Sequence, residues 1–275
     1  MSDASQPIGI FDSGMGGLTV MRALMARLPQ ESFIYLGDTA RLPYGTKSGE
    51  TVTRYAVQAA GALMRRQVKL IVVACNTASA VALPALGTAL TPTPVIGVVE
   101  PGAQAAIAAA PDGSIAVIAT EGTVKGGAYR RAIHAIAPGI HVIQQACPLF
   151  VPLAEEGLVD SPITQLAAEL YLGALFEKPA ARPRALVLGC THFPVLRNVI
   201  ARVAGPDVIL VDSAATTADA VAKLIVERGL AHLGGAAPSH EFLATDSAER
   251  FARVGRIFLG RVPDSVELVD LQDAG

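Results

Sequence analysis

Two of the three cysteines of this chain lie in matching sequence contexts, each after an apolar run and before polar residues. Cys75 lies in VVACNTAS and Cys190 lies in LVLGCTHFP. If each run is a buried strand that leads into a helix, the positive end of the helix lowers the pKa of the thiol and makes thiolate accessible near neutral pH. The alternative is that each cysteine is a small core residue, since free cysteine is often buried. The matched polar residues favour a pair of reactive thiols.

The residues that follow the two cysteines are suited to bind a carboxylate. Asn76 and Thr77 follow the first cysteine, and Thr191 and His192 follow the second. Their hydroxyl and amide groups, with the N–H groups of a helix N-terminus, can donate hydrogen bonds to an anion. His192 lies two positions after Cys190, where an imidazole can orient the thiol or take its proton. Packing is the alternative role for a lone histidine, but the neighbouring cysteine favours chemistry.

The third cysteine lacks this context. Cys147 lies in QACPLF, ahead of a proline and without the polar residues, and we expect it to be structural. Three widely spaced cysteines do not resemble a disulfide framework, and no CxxC or paired-histidine motif provides a metal site. We therefore predict free thiols and no metal.

The segment FDSGMGG follows the first apolar run and offers two groups for a binding site. Asp12 and Ser13 stand at the end of the predicted strand, and the glycines let the backbone approach a ligand. A nucleotide-binding fold is the competing interpretation, because Asp38 ends the second strand where such folds keep a ribose-binding acid. However, GMGG does not match the G-x-G-x-x-G fingerprint, so a nicotinamide or flavin site is not favoured.

Two further segments that follow predicted strands add candidate binding residues. The candidates are Pro43, Tyr44, Gly45, Thr120 and Thr123. The first three belong to a segment rich in turn formers, for which a plain loop is the alternative interpretation. The two threonine hydroxyls can bind a carboxylate at a strand end. Farther along, Glu155 and Glu156 are either a solvated helix face or include one carboxylate that points into the site.

Composition limits the classes of function. The 275 residues carry a net charge of −2, and 51% of them are hydrophobic against 17% charged, which is typical of a globular protein. No basic stripe with interleaved aromatic residues occurs, so nucleic acid is not an expected partner. The N-terminus lacks the features of a secretory signal, and the apolar runs are too short to cross a bilayer. We therefore expect a cytoplasmic protein that binds no membrane.

Short apolar runs alternate with helical periodicity, which predicts an α/β fold of parallel βαβ units. The predicted strands are residues 8–11, 33–37, 70–74, 95–98, 114–120, 141–145, 185–189, 208–211 and 241–246. A crossover near Val98 suggests two similar domains, 1–97 plus 212–275 and 98–211, each a mostly parallel sheet flanked by helices. The tail after Gly260 carries little periodicity and is expected to fray.

The two halves of the chain echo each other around the cysteines. Each cysteine follows a predicted strand, and a threonine comes next or one residue later. In open parallel sheets, ligands bind at the carboxyl ends of the strands. Two sheets that face one another would therefore bring Cys75 and Cys190 to a single cleft, which is a natural substrate site.

Five motifs taken together resemble a known family. They are IGIFDSGMGGLTV, GDTARLPYG, VVACNTAS, ACPLFVPLAEEG and LGCTHFP, and they occur in this order between residues 8 and 194. In these motifs the chain closely resembles the glutamate racemases of the aspartate/glutamate racemase superfamily. The resemblance implies a two-domain fold and the interconversion of L- and D-glutamate without pyridoxal phosphate. It also implies a role in supplying bacterial peptidoglycan synthesis.

The resemblance further implies roles for the matching residues. Cys75 and Cys190 become an acid/base pair, assisted by Asp12 and His192, with Glu155 near the second thiol. The implied substrate contacts are Ser13, Pro43, Tyr44, Gly45, Asn76, Thr77 and Thr191. Thr120 and Thr123, together with the two assisting residues, complete the expected binding set.

Racemisation removes the α-hydrogen from one face of a carbon and returns a proton to the other, so it needs a base and an acid on opposite sides. A thiolate and a thiol meet this need and exchange roles between the two directions. No lysine lies at the centre of a motif, so we predict no cofactor. The alternatives are a racemase for aspartate or another amino acid, a nucleotide-dependent oxidoreductase and a non-catalytic binding protein. A homodimer is the default expectation for assembly.

Overall fold

The computed structural model describes residues 3–177, 182–234 and 237–271. Its strands are β1 (Ile8–Asp12), β2 (Phe33–Gly37), β3 (Leu70–Val73), β4 (Val95–Gly97), β5 (Ile115–Ala119), β6 (Val142–Ala146), β7 (Ala185–Gly189), β8 (Ile209–Asp212), β9 (His240–Ala244) and β10 (Glu267–Leu268). Its α-helices are α1 (Leu18–Arg27), α2 (Gly49–Arg65), α3 (Asn76–Val81), α4 (Leu83–Ala89), α5 (Val99–Ala109), α6 (Glu121–Gly126), α7 (Ala128–Ile136), α8 (Phe150–Glu155), α9 (Pro162–Phe176), α10 (Arg197–Ala204), α11 (Ser213–Glu227) and α12 (Ala248–Leu259). Short 3-10 helices at Tyr44–Thr46 and Phe193–Leu196 follow β2 and β7.

The described strands form two parallel sheets. The first sheet has the order β10-β9-β2-β1-β3-β4, and the second has the order β6-β5-β7-β8. At the centre of the first sheet, Ile10 of β1 lies opposite Tyr35 of β2 and Val72 of β3. Because the strands of each sheet run parallel, their carboxyl ends lie at one edge of that sheet. The segments that follow the strands are therefore gathered at this edge.

The local sequence explains why these elements form. The central strands β1 and β5 are buried along their whole length, which is typical of parallel sheets covered by helices on both faces. Helix α2 begins at a side-chain cap, because Ser48 Oγ accepts a hydrogen bond from Thr51 N at 3.3 Å. Its apolar face, from Val52 to Leu63, is buried against the first sheet.

An apolar core continues from one sheet into the other. Ile8 and Ile10 of the first sheet belong to the same buried cluster as Ala116 and Ile118 of the second. Helix α5 connects β4 to β5 and packs against β7 and β8, whereas α11 leaves the second sheet after β8 and packs against α1. The two sheets are thus joined by packing as well as by the chain.

The predicted α/β class with two parallel sheets flanked by helices is confirmed. Each predicted strand is present, with its ends displaced by no more than two residues. The prediction for the tail is wrong at β10, where Glu267 pairs with Leu243 of β9. Because β10 has only two residues, it shows no periodicity in the sequence, and it forms by pairing with β9. None of the helices in the described ranges is long and apolar enough to cross a membrane.

A buried ion pair at the amino-terminal edge of the first sheet generates a stability prediction. Lys69 Nζ donates to Glu31 Oε2 and, at 2.6 Å, to Ala4 O, and neither charged side chain is appreciably exposed. Lys69→Met leaves the carboxylate buried without its cation, which we expect to lower the free energy of unfolding by about 3–5 kcal/mol. Urea denaturation monitored by circular dichroism measures this loss.

Two further variants control that measurement. Adding Glu31→Gln to Lys69→Met removes the stranded charge and should restore part of the stability. Lys223→Met breaks an exposed pair with Glu227 and should change stability by less than about 1 kcal/mol. Equal effects of Lys69→Met and Lys223→Met would contradict the assignment of a buried pair.

Candidate active site

A cavity of about 240 Å³ lies between the carboxyl edges of the two sheets. Segments after β1, β2 and β3 line it from the first sheet, and segments after β5, β6 and β7 line it from the second. The lining residues are Ser13, Gly14, Leu42, Pro43, Tyr44, Gly45, Cys75, Asn76, Thr77, Thr120, Val151, Pro152, Glu155, Cys190, Thr191 and His192. The cavity is smaller than pockets for drug-sized ligands, so it suits a molecule as small as an amino acid.

Both candidate thiols line this cavity and both are nearly buried. Cys75 caps the N-terminus of α3, where its Sγ accepts a hydrogen bond from Ala78 N at 3.5 Å. The same thiol donates to Ser13 Oγ at 3.5 Å. Cys190 follows β7 directly and precedes the 3-10 helix Phe193–Leu196. The fold thus brings one cysteine from each sheet to the same cavity.

The thiol environments differ from the sequence expectation. Burial raises the pKa of the Cys75 thiol to about 12, and the nearby Asp12 carboxylate adds to the rise. The prediction that a helix N-terminus lowers this pKa is therefore wrong. Helix α3 has six residues, and the loss of solvation in a closed cavity outweighs the field of so short a helix. Cys190 is followed by a 3-10 helix instead of the expected α-helix.

A chain of contacts connects Cys190 to a carboxylate. His192 Nδ1 lies 3.8 Å from Cys190 Sγ and 3.4 Å from Thr191 Oγ1. On the other side of the ring, His192 Nε2 lies 3.1 Å from Glu155 Oε1. The Phe258 ring packs edge-on against the imidazole, with the ring centroids 5.0 Å apart. The imidazole is thus held between a thiol, a carboxylate and an aromatic ring.

These contacts set the charges of the group. Burial lowers the pKa of His192, but the hydrogen bonds and charges of Cys190 and Glu155 outweigh burial and raise that pKa to about 10. Burial raises the pKa of Glu155, but His192 and Arg250 outweigh it and lower that pKa. At neutral pH the imidazolium and the carboxylate form an ion pair. The imidazolium also lies beside the Cys190 sulfur atom, 3.8 Å from it.

Asp12 lies behind the cavity wall and does not line it. Its buried carboxylate accepts a hydrogen bond from Gly14 N at 3.0 Å through Oδ2, while Oδ1 has no partner among the described residues. Burial raises the pKa of Asp12, and the positive charge of His192 opposes that rise. The carboxylate therefore acts on His192 and on Cys75 through its charge and without direct contact with the cavity.

Three threonine hydroxyls meet where the two sheets approach. Thr77 Oγ1 lies 3.2 Å from the hydroxyls of Thr120 and Thr123, which are also 3.2 Å apart. Thr77 and Thr120 line the cavity, whereas Thr123 supports them from behind. Asn76 Oδ1 accepts a hydrogen bond from Tyr129 OH at 2.7 Å, and its Nδ2 has no partner among the described residues. Asn76 therefore has a free donor for a ligand carboxylate.

The segment 42–45 closes the cavity on the side of the first sheet. Tyr44 is buried, and its hydroxyl donates to Asp38. Asp38 also accepts hydrogen bonds from Arg41 Nε at 2.7 Å and Thr245 Oγ1 at 3.0 Å. The buried Asp38 carboxylate therefore uses its oxygens to hold the segment 42–45 in place. They give no support to the competing interpretation of Asp38 as a ribose-binding acid.

The cavity brings together the predicted site residues except Asp12 and Thr123, which contact its wall from behind. Glu155 points inward, whereas Glu156 is exposed. Cys147 is buried and does not line the cavity. Within the described ranges, no group of three or more His, Cys, Asp or Glu side chains is arranged to hold a metal ion.

Four residues at the site were not predicted from the sequence. They are Leu42, Val151, Pro152 and Arg250. The first three give the cavity apolar walls. Arg250 of α12 donates a hydrogen bond from Nη2 to Glu155 Oε2 at 2.8 Å. The two residues are 95 positions apart in the sequence, so no local sequence pattern predicts this contact. Leu42, Val151 and Pro152 lie within two of the five motifs, and this position in the sequence is the one signal that could have identified them.

The comparisons with known proteins agree with this geometry. A family model described as Asp/Glu/Hydantoin racemase matches residues 15–221. The chain therefore belongs to this racemase family, which confirms the resemblance and makes the protein an isomerase by class. In particular, it is similar to glutamate racemases. The glutamate racemase of Geobacter metallireducens is 50% identical over 265 residues, which cover 96% of this chain and 97% of the relative.

Solved structures extend the comparison. The glutamate racemase of Francisella tularensis in complex with D-glutamate has a TM-score of 0.90 and 38% identity, with 98% of this chain and 99% of that chain covered. The glutamate racemase of Escherichia coli in complex with L-glutamate and activator UDP-MurNAc-ala has a TM-score of 0.78 and 30% identity, with 96% and 98% covered. The chain thus matches these enzymes over nearly its whole length.

The raised pKa of His192 can be tested directly. We expect NMR titration of the ring protons to give a pKa near 10 in the ligand-free protein. Glu155→Gln should lower this pKa, because the imidazolium loses a charged partner. His240, whose pKa burial lowers below its ordinary value of 6.5, provides the internal contrast. Titration of His192 near 6.5 in the unaltered protein would contradict the ion pair.

Gly16 permits the close approach of the two sheets at His192. A Cβ at position 16 would lie 2.4 Å from His192 Nδ1 and 2.5 Å from Thr191 Oγ1. Because the imidazole is wedged in place, we expect Gly16→Ala to lower the free energy of unfolding by about 1–3 kcal/mol. Gly87→Ala in α4 meets nothing within 4 Å and should be neutral or slightly stabilising. Urea denaturation of both variants checks the contrast, and equal stabilities would argue against the close contact.

Proposed function

We propose that this protein is a cofactor-independent glutamate racemase that interconverts L- and D-glutamate through a two-cysteine acid/base mechanism. One observation carries the proposal: Cys75 from one sheet and Cys190 from the other line the same small, buried cavity. Two groups that can each hold or release one proton, on two sides of one space, are what inversion of a carbon centre requires.

The choice of substrate is supported by the relatives. Among the similar structures, one glutamate racemase holds D-glutamate and another holds L-glutamate. A racemase must bind both enantiomers of its substrate, and relatives of this chain bind D-glutamate and L-glutamate. Aspartate or another amino acid remains the alternative substrate. The experiment below separates these candidates.

The walls of the cavity provide the groups that such a substrate needs. We propose that the substrate carboxylates and ammonium are bound by Ser13, Asn76, Thr77, Thr120, Thr191 and His192, with Pro43, Tyr44 and Gly45 shaping the cavity. Asp12 and Thr123, which lie behind the wall, support these groups. Asn76 Nδ2 and the threonine hydroxyls supply neutral donors. Such fixed donors favour the charge that develops on the substrate when its proton leaves.

The chemical step follows from the two thiol environments. We infer that Cys190, whose sulfur lies 3.8 Å from the cationic His192, is the base for one enantiomer, and that Cys75, whose pKa burial raises to about 12, supplies the thiol. The Cys190 sulfur takes the α-proton, an S–H bond forms, and the electron pair of the broken C–H bond moves toward the substrate carboxylate. The Cys75 S–H then gives its proton to the opposite face of the carbon. The opposite hand is converted with the roles exchanged.

Conversion of the opposite hand requires Cys75 to become the base. Its high pKa belongs to the ligand-free cavity, where burial and Asp12 disfavour the thiolate. A bound substrate brings an ammonium group into the cavity, and a nearby positive charge favours a thiolate. We therefore infer that the substrate itself helps to ionise Cys75. The carboxylates of Asp12 and Glu155 are assigned supporting roles at the first and second thiol.

No cofactor is needed in this scheme. A pyridoxal phosphate enzyme holds its cofactor through a lysine, and no lysine is among the described residues that line the cavity. The polar donors of the closed cavity take the place of an electron sink. The function and the family resemblance together suggest a cytoplasmic supplier of D-glutamate for peptidoglycan synthesis. A homodimer stays a prediction.

We also infer the domain boundaries from the sheets. One domain would comprise residues 1–97 and 212–275, and the other residues 98–211. The first sheet takes its strands from residues 8–97 and 240–268, and the second from residues 115–212. Helices α5 and α11 lie at the two connections between the sheets. This division assigns one of the two cavity cysteines, Cys75 and Cys190, to each domain.

The decisive experiment is isotope exchange in deuterium oxide. Pure protein without added cofactor should incorporate deuterium at the α-carbon of L-glutamate, observed by NMR, while polarimetry records the loss of optical rotation. Cys75→Ala and Cys190→Ala should each lower the racemisation rate by at least about 100-fold, because each removes one acid/base group. Cys147→Ala, which does not touch the cavity, should keep most of the activity.

Three outcomes would contradict the proposal. Racemisation of L-aspartate but not of L-glutamate would establish the alternative substrate. Near-normal racemisation by either single cysteine variant would refute the two-base mechanism. Bound nicotinamide or flavin, visible in the absorbance spectrum of the purified protein, would favour the oxidoreductase interpretation instead.

A further inference from the structure

We propose that Arg250 is a positioning residue for Cys190, because it fixes the orientation of Glu155 from the C-terminal helix α12. The inference rests on the proposed function and extends it to a residue outside the five sequence motifs. It concerns how the Cys190 side of the site is held ready, and it assigns no contact between Arg250 and the substrate.

The two oxygens of Glu155 have different partners. Oε1 lies 3.1 Å from His192 Nε2, and Oε2 accepts a hydrogen bond from Arg250 Nη2 at 2.8 Å. A carboxylate bonded through both oxygens cannot rotate about its terminal bond without breaking a charge-assisted hydrogen bond. Because His192 Nδ1 faces Cys190 Sγ at 3.8 Å, the orientation of Glu155 determines where the imidazolium is held relative to the thiol.

Helix α12 provides a second residue, Phe258, that contacts the His192 imidazole directly. Phe258, about two turns after Arg250, packs edge-on against the His192 ring. The helix also packs against α1 beside the first sheet and against α8, which carries Glu155 beside the second. One helix from the C-terminal part of the chain therefore connects the first sheet to the charged groups behind Cys190.

The surrounding charges allow the effect to be assigned to this contact. Glu155 faces His192 from the segment after β7 and Arg250 from α12, and His192 in turn faces Cys190 and Asp12. The Arg250 side chain is 38% exposed, so solvent screens its direct field at the thiol. Its influence on Cys190 therefore passes through the bond to Glu155, which is only 12% exposed.

Loss of this bond has a definite consequence. Without Arg250, Glu155 Oε2 loses its charged donor and the carboxylate is free to turn away from His192. The imidazolium is then held less firmly beside Cys190, and a thiolate there loses a counterion in a fixed position. Cys75 has its own hydrogen-bond partners, Ser13 and Ala78, and only longer-range charge through Asp12 and Cys190 links it to this chain of contacts. The expected effect is thus concentrated at Cys190.

The test measures the reactivity of each thiol without using substrate. Ligand-free protein is treated with iodoacetamide between pH 6 and pH 9, and mass spectrometry follows alkylation of Cys75 and Cys190 separately. Arg250→Gln should slow the alkylation of Cys190 near pH 7 by about three- to tenfold and leave Cys75 unchanged, since only Cys190 has the cationic imidazole held beside its sulfur atom. Arg250→Lys keeps a cationic donor and should stay within about twofold of the unaltered protein.

Two variants complete the design. Arg253→Gln removes an exposed arginine from the same helix and should leave both rates unchanged. Arg250→Met keeps the length of the side-chain stem, and it replaces Arg250→Gln if circular dichroism shows that the glutamine variant does not fold. Unchanged alkylation of Cys190 in the Gln or Met variant would overturn the proposal, as would an equal change at both cysteines, which indicates general loosening of the fold.

Steady-state racemisation separates this inference from the proposed function. With glutamate as substrate, Arg250→Gln should lower kcat by a factor similar to that for alkylation while KM changes little, because Arg250 does not bind the substrate. If the unaltered protein does not racemise glutamate but the Cys190-specific change in alkylation is present, the proposed function fails and the positioning role stands. If racemisation is normal in Arg250→Gln, the positioning role fails and the proposed function stands.

Discussion

The site depends on the close approach of two parallel sheets at their carboxyl edges, because only this approach lets two sulfur atoms reach one small cavity. Glycines make the approach possible. A Cβ on Gly122 would lie 2.6 Å from Gly45 O, and a Cβ on Gly45 would lie 2.9 Å from Thr120 Cβ. Gly45 belongs to the segment after β2 and the other two residues to the segment after β5. The contact brings the two walls of the cavity together at this side.

Closure makes the two halves of the site chemically unequal, although their sequences echo each other. Cys75 has a hydroxyl and a backbone amide as partners and lies near the Asp12 carboxylate, so burial and charge both raise its pKa. Cys190 has an imidazole as its partner, and the contacts of that imidazole with Cys190 and Glu155 outweigh burial and raise its pKa to about 10. The same low polarity that disfavours an isolated thiolate at Cys75 strengthens the attraction between the opposite charges of His192 and Glu155.

Much of the fold and of the cavity lining could be predicted from the sequence, because local features carry that information. A buried strand followed by Cys75 or Cys190 places the thiol at a carboxyl edge wherever the sheets lie. The pKa of Cys75 could not be predicted, because burial depends on how the second sheet closes the cavity. Arg250 was also beyond prediction, since its partner Glu155 lies on another helix and no local pattern connects the two.

The ion pair of His192 and Glu155 is complete only within a pH window bounded by two opposite shifts. The pKa of His192 is raised to about 10, so its stabilising contribution is full below its ordinary value of 6.5 and is lost as the pH rises through about 10. The pKa of Glu155 is lowered, so its contribution is present above its ordinary value of 4.5 and is lost as the pH falls through the lowered value. Cys75, with a pKa of about 12, does not ionise inside this window. Across the neutral range the ion pair of His192 and Glu155 is therefore complete, and the charge that faces Cys190 from the imidazole does not change with pH in this range.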